Sequence, residues 1–363
     1  MGARAKGALR AAACWALAAL LAGGLCLYLL AQMRAAVPPV VQVYASHGVG
    51  DTLAGVQEKL PGQGGALWQS AVLDGTTPVW AVPATAAYGG AAGVLLASGA
   101  WYGPDAVLQG RRYAVVPETL GDGYGLGTSV QVDGASYQVC GVYRPRAGAL
   151  DKMAGDGVPV VYLSAPPNAP ATEVPVQQLL LTGEGARQKD QLLDAARKAL
   201  LGANGWGHDL RDARALAAAL VRLAVILGLL VPVGWLLAGC WRALVSLYLA
   251  GRQGMGGRAA LCRLGKALLP GLAALAAVYW LLNWLRLPAA YLPPDNLFDV
   301  SHYAGLLAAF FQGLNGQEFC DVLCNRAAIY NVAVAFAALL LAVSLASFLA
   351  AARRAALALE ENR

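Results

Sequence analysis

The segment from Ala11 to Met33 reads AAACWALAALLAGGLCLYLLAQM, and no charged residue lies between Arg10 and Arg34. A helix rises about 1.5 Å per residue, so this run is longer than the roughly 30 Å hydrocarbon core of a bilayer. A cleaved signal peptide is the alternative, but its apolar region is usually shorter, about 7–15 residues. The segment therefore predicts an uncleaved membrane-spanning helix.

The composition of the whole chain agrees with a membrane protein. Of the 363 residues, 58% are hydrophobic and only 13% are charged, and the mean hydropathy is +0.52. A soluble domain usually carries about twice that share of charged residues. A soluble protein this apolar would expose large hydrophobic patches, so an ordinary soluble class is excluded.

Three further apolar runs lie in the C-terminal part of the chain, at about Leu223–Trp241, Ala267–Leu285 and Ala327–Ala352. Each is near or above the roughly 20 residues that a spanning helix needs. Burial in a very large soluble core is the alternative, but no soluble segments exist to bury three such helices. No Asp or Glu lies within any span, which argues against a proton-coupled carrier, because such carriers typically use intramembrane carboxylates.

The distribution of Lys and Arg predicts the orientation, because basic residues accumulate in cytoplasmic segments. The N-terminal tail has Arg4, Lys6 and Arg10 without an acidic residue. The loop after the second span also lacks acidic residues, and its basic residues are Arg242, Arg252, Arg258, Arg263 and Lys266. We therefore expect a multi-pass protein of the cytoplasmic membrane with both termini in the cytoplasm.

The predicted fold class is a membrane protein of four transmembrane α-helices (1 + 3), with an α+β extracytoplasmic domain inserted between helices 1 and 2. The predicted parts are a cytoplasmic tail and helix 1 at 1–36, the extracytoplasmic domain at 37–213, helix 2 at 214–241, a cytoplasmic loop at 242–266, helix 3 at 267–285, an extracytoplasmic loop at 286–326, helix 4 at 327–352 and a cytoplasmic tail at 353–363.

The extracytoplasmic domain carries two hairpin signals. Asp74-Gly75 and Asp133-Gly134 each lie between alternating apolar segments, where Gly accepts the positive φ of a tight turn. Further strands are predicted at Tyr113–Val116, Val158–Leu163 and Leu179–Leu181, and helices at Thr52–Leu60 and Gln188–Leu201. The Ala- and Leu-rich stretch from Ala213 to Leu223 is expected to continue unbroken into the second span.

A search for catalytic motifs predicts no active site. The only histidines, His47, His208 and His302, lack the spacing of metal ligands to Cys, Asp or Glu. The chain has no phosphate-loop motif, Gly-x-Ser-x-Gly or His-Glu-x-x-His. The alternating glycines of Gly121–Gly127 precede a hairpin rather than a helix, which favours a plain loop. No catalytic residue, metal site or cofactor is predicted for this chain, and no nucleic-acid partner.

Two features leave alternatives open. Cys320 and Cys324 are expected on the oxidising side, but residues four apart on a helix are too distant for a disulfide, about 5–6 Å between Cβ atoms against about 3.8 Å. They form a disulfide only if the segment is not regular helix; otherwise they are free or separately paired. The basic residues of the loop at 242–266 have two explanations. They either follow the positive-inside rule and contact lipid headgroups, or they belong to a short cytoplasmic helix that docks on a partner.

The order of parts, together with several short stretches, resembles the MacB/FtsX-like permeases, the membrane subunits of type VII ABC transporters. The matching stretches are Gly99–Tyr102, Gly110–Val116, Glu118–Leu120, Leu126–Val130 and Tyr137–Val142. The chain departs from the family pattern at Gly125, where Pro is usual, and at Thr128, where Lys is usual. In the cytoplasmic loop only Ala250-Gly251 remains of the usual motif, and Lys266 stands where a Glu is common.

The resemblance implies a permease dimer, identical or mixed, with separate ATPase subunits that bind ATP and Mg²⁺. It also implies that the basic residues of 242–266 couple to that ATPase, and that the outer domain meets an extracytoplasmic protein or peptide. The leading hypothesis is an ABC permease subunit without enzymatic activity of its own. An FtsX-like, non-transporting regulator or receptor is the second hypothesis, and a membrane-bound enzyme is a weaker third.

Overall fold

The computed structural model describes residues 3–44, 51–154, 157–183, 191, 194, 206–252, 257–293, 299–302, 304–305 and 322–360. The chain divides into two compact units. We call Met1–Ala31, Ala215–Leu292 and Asn331–Arg363 the membrane unit, and Gln32–Arg214 with Pro293–Tyr330 the outer unit. The predicted helix at 188–201 falls largely outside the described residues, as does Cys320.

In chain order, the helices and strands are α1 (Ala3–Ala36), β1 (Val41–Tyr44), α2 (Leu53–Lys59), β2 (Gly64–Ala66), β3 (Gln69–Leu73), β4 (Thr77–Pro83), α3 (Tyr88–Ala91), β5 (Leu96–Gly99), α4 (Pro104–Leu108), β6 (Tyr113–Pro117), β7 (Ser129–Val132), β8 (Ala135–Tyr143), α5 (Ala149–Ala154), β9 (Val160–Leu163), β10 (Gln178–Leu181), β11 (Trp206–Asp209), α6 (Leu210–Arg252), α7 (Gly257–Trp284) and α8 (Val322–Glu360).

The four predicted spans are confirmed as four long helices, α1, α6, α7 and α8, each apolar and long enough to cross a membrane. All four extend beyond the apolar runs from which they were predicted. Helix α6 begins at Leu210 and ends at Arg252, so the expected continuity through Ala213–Leu223 is confirmed. Helix α8 begins at Val322, inside the predicted outer loop. The apolar runs define the membrane segments, whereas the helices continue beyond them.

In the membrane unit, α6 and α8 approach closely at Gly228. A Cβ atom at this position would overlap the side chain of Leu345. Pro232 follows one turn later and has no N–H to donate to the Gly228 carbonyl, which weakens the helix at this point. Nearer the end of α8, the Arg353 guanidinium lies 4.7 Å from the centre of the Trp235 ring. The close approach of α6 and α8 depends on Gly228, since small residues let helix backbones come close together in lipid.

Replacing Gly228 with leucine is expected to destabilise the membrane unit, because the added side chain overpacks the contact with Leu345. Overpacking typically costs about 1–3 kcal/mol. Gly234→Leu is the matched control, since nothing lies within 4 Å of a Cβ at Gly234 and the change in helix propensity is the same. Thermal unfolding in detergent measures both variants, and equal melting temperatures would contradict the close α6–α8 contact.

The outer unit contains two β-sheets. The larger has the strand order β5-β8-β6-β9-β4-β3-β7, and β7 also pairs with β8, so six of its strands close into a ring. Buried apolar side chains fill the core, including Leu73, Val116, Tyr137 and Leu163. The smaller sheet has the order β11-β1-β10-β2, and its pairs are all antiparallel.

Both predicted hairpins are confirmed, and they lock onto each other. Asp74 and Asp133 have φ of 48° and are followed by Gly75 and Gly134 with φ of 74° and 80°, as a type I′ turn requires. The Asp133 carboxylate accepts a hydrogen bond from the Val72 N–H, and the Asp74 carboxylate accepts one from the Gln131 N–H, each at 2.8 Å. This exchange holds β3 beside β7 and closes the ring.

The other described elements agree with the sequence pattern. The strands predicted near Tyr113, Val158 and Leu179 are β6, β9 and β10, and the predicted helix at Thr52–Leu60 is α2. The hydroxyl of Thr52 caps α2 by accepting a hydrogen bond from the Gly55 N–H at 3.1 Å. Residues Gly121–Gly127 hold no regular α-helix, as expected of a loop, and contain a short 3₁₀ turn at Asp122–Tyr124.

Candidate functional site

The outer ends of α1 and α6 are joined by a pair of adjacent strands. The chain leaves α1 at Ala36 and enters β1 at Val41, while β11 leads directly into α6. Val41 lies opposite Asp209 in the antiparallel β1–β11 pair. The N–H of Leu210, the first residue of α6, donates to the Val40 carbonyl at 3.0 Å. Two of the long helices are therefore tied to one sheet of the outer unit.

The first turns of α8 reach the same place. Cys324 Sγ lies 3.4 Å from Oε1 of Gln42, a fully buried residue of β1. Arg326 Nη1 lies 3.4 Å from the Ala36 carbonyl at the end of α1. We call Ala36, Gln42, Asp209, Cys324 and Arg326 the outer junction. It brings together the outer ends of α1, α6 and α8.

A buried ion pair fixes α8 to the outer unit. Arg326 Nε lies 3.2 Å from Asp151 Oδ1, and the two side chains are only 16% and 6% exposed. Tyr330, one turn further along α8, places its hydroxyl 3.4 Å from Asp151 Oδ2. Asp151 Oδ1 and Arg326 Nε have no hydrogen-bond partner in the described residues, so their contact is electrostatic without hydrogen-bond geometry. Because a lone buried charge is costly, each residue depends on the other.

A cleft of about 440 Å³ opens beside this ion pair in the outer unit. Its wall includes five aromatic side chains, Trp68, Trp80, Tyr88, Tyr143 and Tyr162. The ring centres of Tyr143 and Tyr162 are 5.4 Å apart. Burial raises the pKa of Tyr162 to about 12 despite the opposing charge of Arg326, so its phenol is neutral at physiological pH. The wall is thus aromatic and uncharged over much of its area.

Several basic side chains line the cleft, and only some of them are paired with a described carboxylate. Arg144 is paired with Glu118, Nε to Oε1 at 3.0 Å, and Arg326 with Asp151. Arg146 and Lys152 also line the cleft, and no carboxylate of the described residues lies within ion-pair distance of either one. Burial, followed by the charge of Arg326, lowers the pKa of Arg146, while Asp151 opposes this shift. The described residues that line the cleft therefore carry more positive than negative charge.

The five basic residues predicted to couple to an ATPase lie on helices rather than in a turn-rich loop. Arg242 and Arg252 are exposed on the last turns of α6, and Arg258, Arg263 and Lys266 lie on the first turns of α7. The guanidinium of Arg252 lies 5.6 Å from the centre of the Tyr248 ring. Residues 242–252 and 257–266 of the predicted cytoplasmic loop are helical, because the helices continue beyond the apolar runs. The coupling role stays a prediction.

The other site predictions concern a disulfide between Cys320 and Cys324 and the absence of a metal site. Cys324 lies near the start of α8, but Cys320 falls outside the described residues, so a disulfide between them stays a prediction. Within the described part of the chain, no group of three or more His, Cys, Asp or Glu side chains is placed to hold a metal ion. The cleft and the outer junction carry no motif in the sequence.

Comparison with known proteins supports the resemblance seen in the sequence. Residues 27–199 match the family model of the MacB-like periplasmic core domain. The chain is similar to the crystal structure of the periplasmic region of MacB from Actinobacillus actinomycetemcomitans, at 12% identity and a TM-score of 0.37, over 50% of this chain and 94% of the other. A search of curated proteins found no match.

A second similar structure is the extracellular domain of the noncanonic ABC-type transporter YknZ from Gram-positive bacteria. Its identity is 14% and its TM-score 0.33, over 47% of this chain and 99% of the other. The predicted fold class is confirmed: four apolar helices can span a membrane, and a MacB-like α+β domain is inserted between the first and the second of them. The predicted resemblance to the MacB/FtsX-like permeases is confirmed over residues 27–199.

Proposed function

We propose that this permease subunit couples ATP hydrolysis by a separate ATPase to a conformational change of its extracytoplasmic domain, for mechanotransmission or export. The observation that carries the proposal is the continuity of α6. Its 43 residues form one helix from the end of β11 to Arg252, about 64 Å at roughly 1.5 Å per residue. That is about twice the roughly 30 Å hydrocarbon core, so the helix reaches well beyond the membrane.

A continuous helix transmits displacement, whereas a Gly/Ser-rich linker behaves as a flexible coil and absorbs it. Movement of the end that carries Arg252 would therefore displace Leu210. Because Leu210 directly follows β11, the movement reaches the sheet that contains β1 and β10. The outer junction links α1 and α8 to the same sheet, so the three helices would move it together rather than separately.

The proposal assigns the partners as follows. ATP and Mg²⁺ bind to the ATPase subunit, which contacts the cytoplasmic ends of α6 and α7 through Arg242, Arg252, Arg258, Arg263 and Lys266. A second permease, identical or different, completes the membrane part within the lipid bilayer. An extracytoplasmic protein or peptide meets the outer unit. Both chain termini lie in the cytoplasm under this proposal, in agreement with the basic N-terminal tail.

Reversing two of the coupling charges tests the proposal. Purification in mild detergent is expected to recover an ATP-binding subunit with the wild-type chain. The double variant Arg252→Glu and Arg258→Glu is expected to lose that subunit, or to reduce stimulated ATP hydrolysis several-fold. Opposite charges at an interface stabilise a complex, and like charges repel a wrong partner. ATP hydrolysis by the purified complex is the measurement.

The double variant Arg111→Glu and Arg112→Glu is the matched control, because it changes the net charge equally at exposed positions of the outer unit, outside the α6–α7 segment and outside the segments that set the orientation. It is expected to behave like the wild-type chain. Repeated recovery of intact permease without any nucleotide-binding partner would contradict the proposed function. Equal loss of hydrolysis in both double variants would contradict the specific role of Arg252 and Arg258.

A further inference from the structure

We infer that the cleft of the outer unit is a binding site for a small amphipathic carboxylate, a molecule with an apolar or aromatic body and one carboxylate head. The cleft is large enough for such a ligand, since small-molecule sites usually measure about 300–1,000 Å³ and this one measures about 440 Å³. Its inner wall and its charged residues suit the two parts of the molecule separately.

The aromatic wall suits the apolar body. Trp68 and Trp80 are half-buried, and Tyr88, Tyr143 and Tyr162 are buried. Two of the three tyrosine hydroxyls are already used within the protein: Tyr143 donates to the Val160 carbonyl at 2.9 Å, and Tyr88 donates to Gln178 Oε1 at 2.8 Å. The ring faces and edges therefore remain for apolar or aromatic contact, which favours offset-stacked and edge-to-face arrangements.

Two cations of the cleft suit a carboxylate head. Among the described residues, Arg146 makes one long contact, from Nη2 to the Gly93 carbonyl at 3.5 Å, so most of its five N–H donors are not used by these residues. Lys152 is exposed beside it, on α5. A guanidinium binds a carboxylate through two parallel hydrogen bonds, which a cationic or neutral ligand cannot form. The excess positive charge thus selects an anion.

One wall of the cleft belongs to α8. Val322, Leu323 and Arg326 line the cleft from the first turns of this helix, and Asp151 lines it from α5. The Nε of Arg326 and the Oδ1 of Asp151 are buried without a hydrogen-bond partner in the described residues. A ligand in the cleft would therefore contact both the strands of the outer unit and the first turns of α8. It would also lie near the Nε of Arg326 and the Oδ1 of Asp151, which could form further hydrogen bonds.

The test uses the full-length protein in nanodiscs of phosphatidylcholine and the fluorescent probe dansyl-undecanoic acid. Trp68 and Trp80 in the wall serve as donors for energy transfer to the bound dansyl group. The part of the transfer that is lost in the double variant Trp68→Phe and Trp80→Phe separates binding in the cleft from partition into lipid near the tryptophans of the long helices. We expect saturable energy transfer with the acid and an affinity about tenfold or more above that of its methyl ester. Equal affinity of acid and ester would overturn the inference.

Charge reversal provides the matched comparison. Arg146→Glu is expected to weaken binding of the acid about tenfold or more without changing that of the ester. Lys152→Glu, at an exposed position, is expected to weaken it in the same direction and gives a second variant should Arg146→Glu fail to fold. Arg111→Glu is the control, because Arg111 is exposed and does not line the cleft. Similar effects of all three reversals would also overturn the inference.

Competition separates carboxylates from other head groups. Decanoate is expected to displace the probe, and decyl trimethylammonium is expected to leave it bound, since the cation lacks the charge that Arg146 and Lys152 select. Displacement by decyl trimethylammonium at the same concentration as decanoate would contradict an anion site. The measurement needs no ATPase, so it can fail while the proposed coupling holds, and it can succeed while the coupling fails.

Discussion

Asp151→Ala is expected to lower the stability of the outer unit by about 3 kcal/mol, because it leaves the guanidinium of Arg326 buried without a counter-charge. The two side chains are 6% and 16% exposed, so solvent screens the pair poorly. For a unit of this size the loss corresponds to a fall in melting temperature of roughly 6–12 °C. Thermal unfolding of the full-length protein in detergent measures it.

Two comparisons make this prediction specific. The double variant Asp151→Leu and Arg326→Leu is expected to recover much of the loss, since a well-packed apolar pair replaces a buried ion pair at little cost. Glu118→Ala removes the partner of Arg144 in an exposed pair, with side chains 39% and 70% exposed, and is expected to change stability by less than about 1 kcal/mol. A fall in melting temperature as small for Asp151→Ala as for Glu118→Ala would contradict the structural role of the buried pair.

Native Pro232 removes one hydrogen bond of α6 within the predicted span without ending the helix. A further break between the outer unit and the predicted span is expected to reduce the response of the outer unit to ATP strongly. Ala218 lies in the link at 213–223 and is half-buried. Proline at this position removes the hydrogen bond to the Arg214 carbonyl and costs about 3 kcal/mol of helix stability, and glycine costs about 1 kcal/mol. The response should therefore decrease in the order Ala218, Ala218→Gly, Ala218→Pro.

The readout is protease accessibility of the outer unit in the purified complex, with and without ATP, alongside ATP hydrolysis. Under the proposed function, Ala218→Pro is expected to retain the ATPase subunit and its hydrolysis, because the ends of α6 and α7 that carry Arg252 and Arg258 are unchanged, while the ATP-dependent difference in accessibility is lost. This pattern differs from that of Arg252→Glu with Arg258→Glu, which removes hydrolysis itself. A full ATP response in Ala218→Pro would show that continuity of α6 is not required.

The parts of the fold that the sequence predicted are those defined by local patterns. A charge-free run such as Ala11–Met33 requires no distant partner to be recognised as a span. The Asp-Gly turns at Asp74 and Asp133 are similarly local, since the positive φ values they adopt suit the turn itself. These short-range signals also established the order of parts that suggested the permease family.

The parts that were not predicted depend on distant residues. Strands β1 and β11 have four residues each, too few for a clear alternating pattern, and they pair across most of the domain. The ion pair between Asp151 and Arg326 joins two residues that lie far apart in the sequence and belong to no common motif. Helix α6 continues past Trp241 because Arg242–Arg252 contains good helix formers and no proline, whereas the search for spans followed hydrophobicity alone.

The cleft was missed for the same reason. Its lining comes from several separated segments, among them Trp68, Trp80, Tyr143 and Leu323, and aromatic residues so far apart in sequence are usually read as core. In the sequence, Arg146 and Lys152 are ordinary surface charges; only the structure places both of them in the lining of one cleft. Only the spatial arrangement distinguishes a binding site from the exterior of a sheet.

Hydrogen exchange of the complex in nanodiscs, with a hydrolysis-deficient ATPase subunit and with or without ATP, tests the central claim most directly. If ATP binding moves α6 as one body, exchange will change at residues 149–154 and 322–330 of the outer unit as well as at the cytoplasmic ends of α6 and α7. A change confined to those cytoplasmic ends, with identical exchange throughout the outer unit, would contradict coupling through this permease.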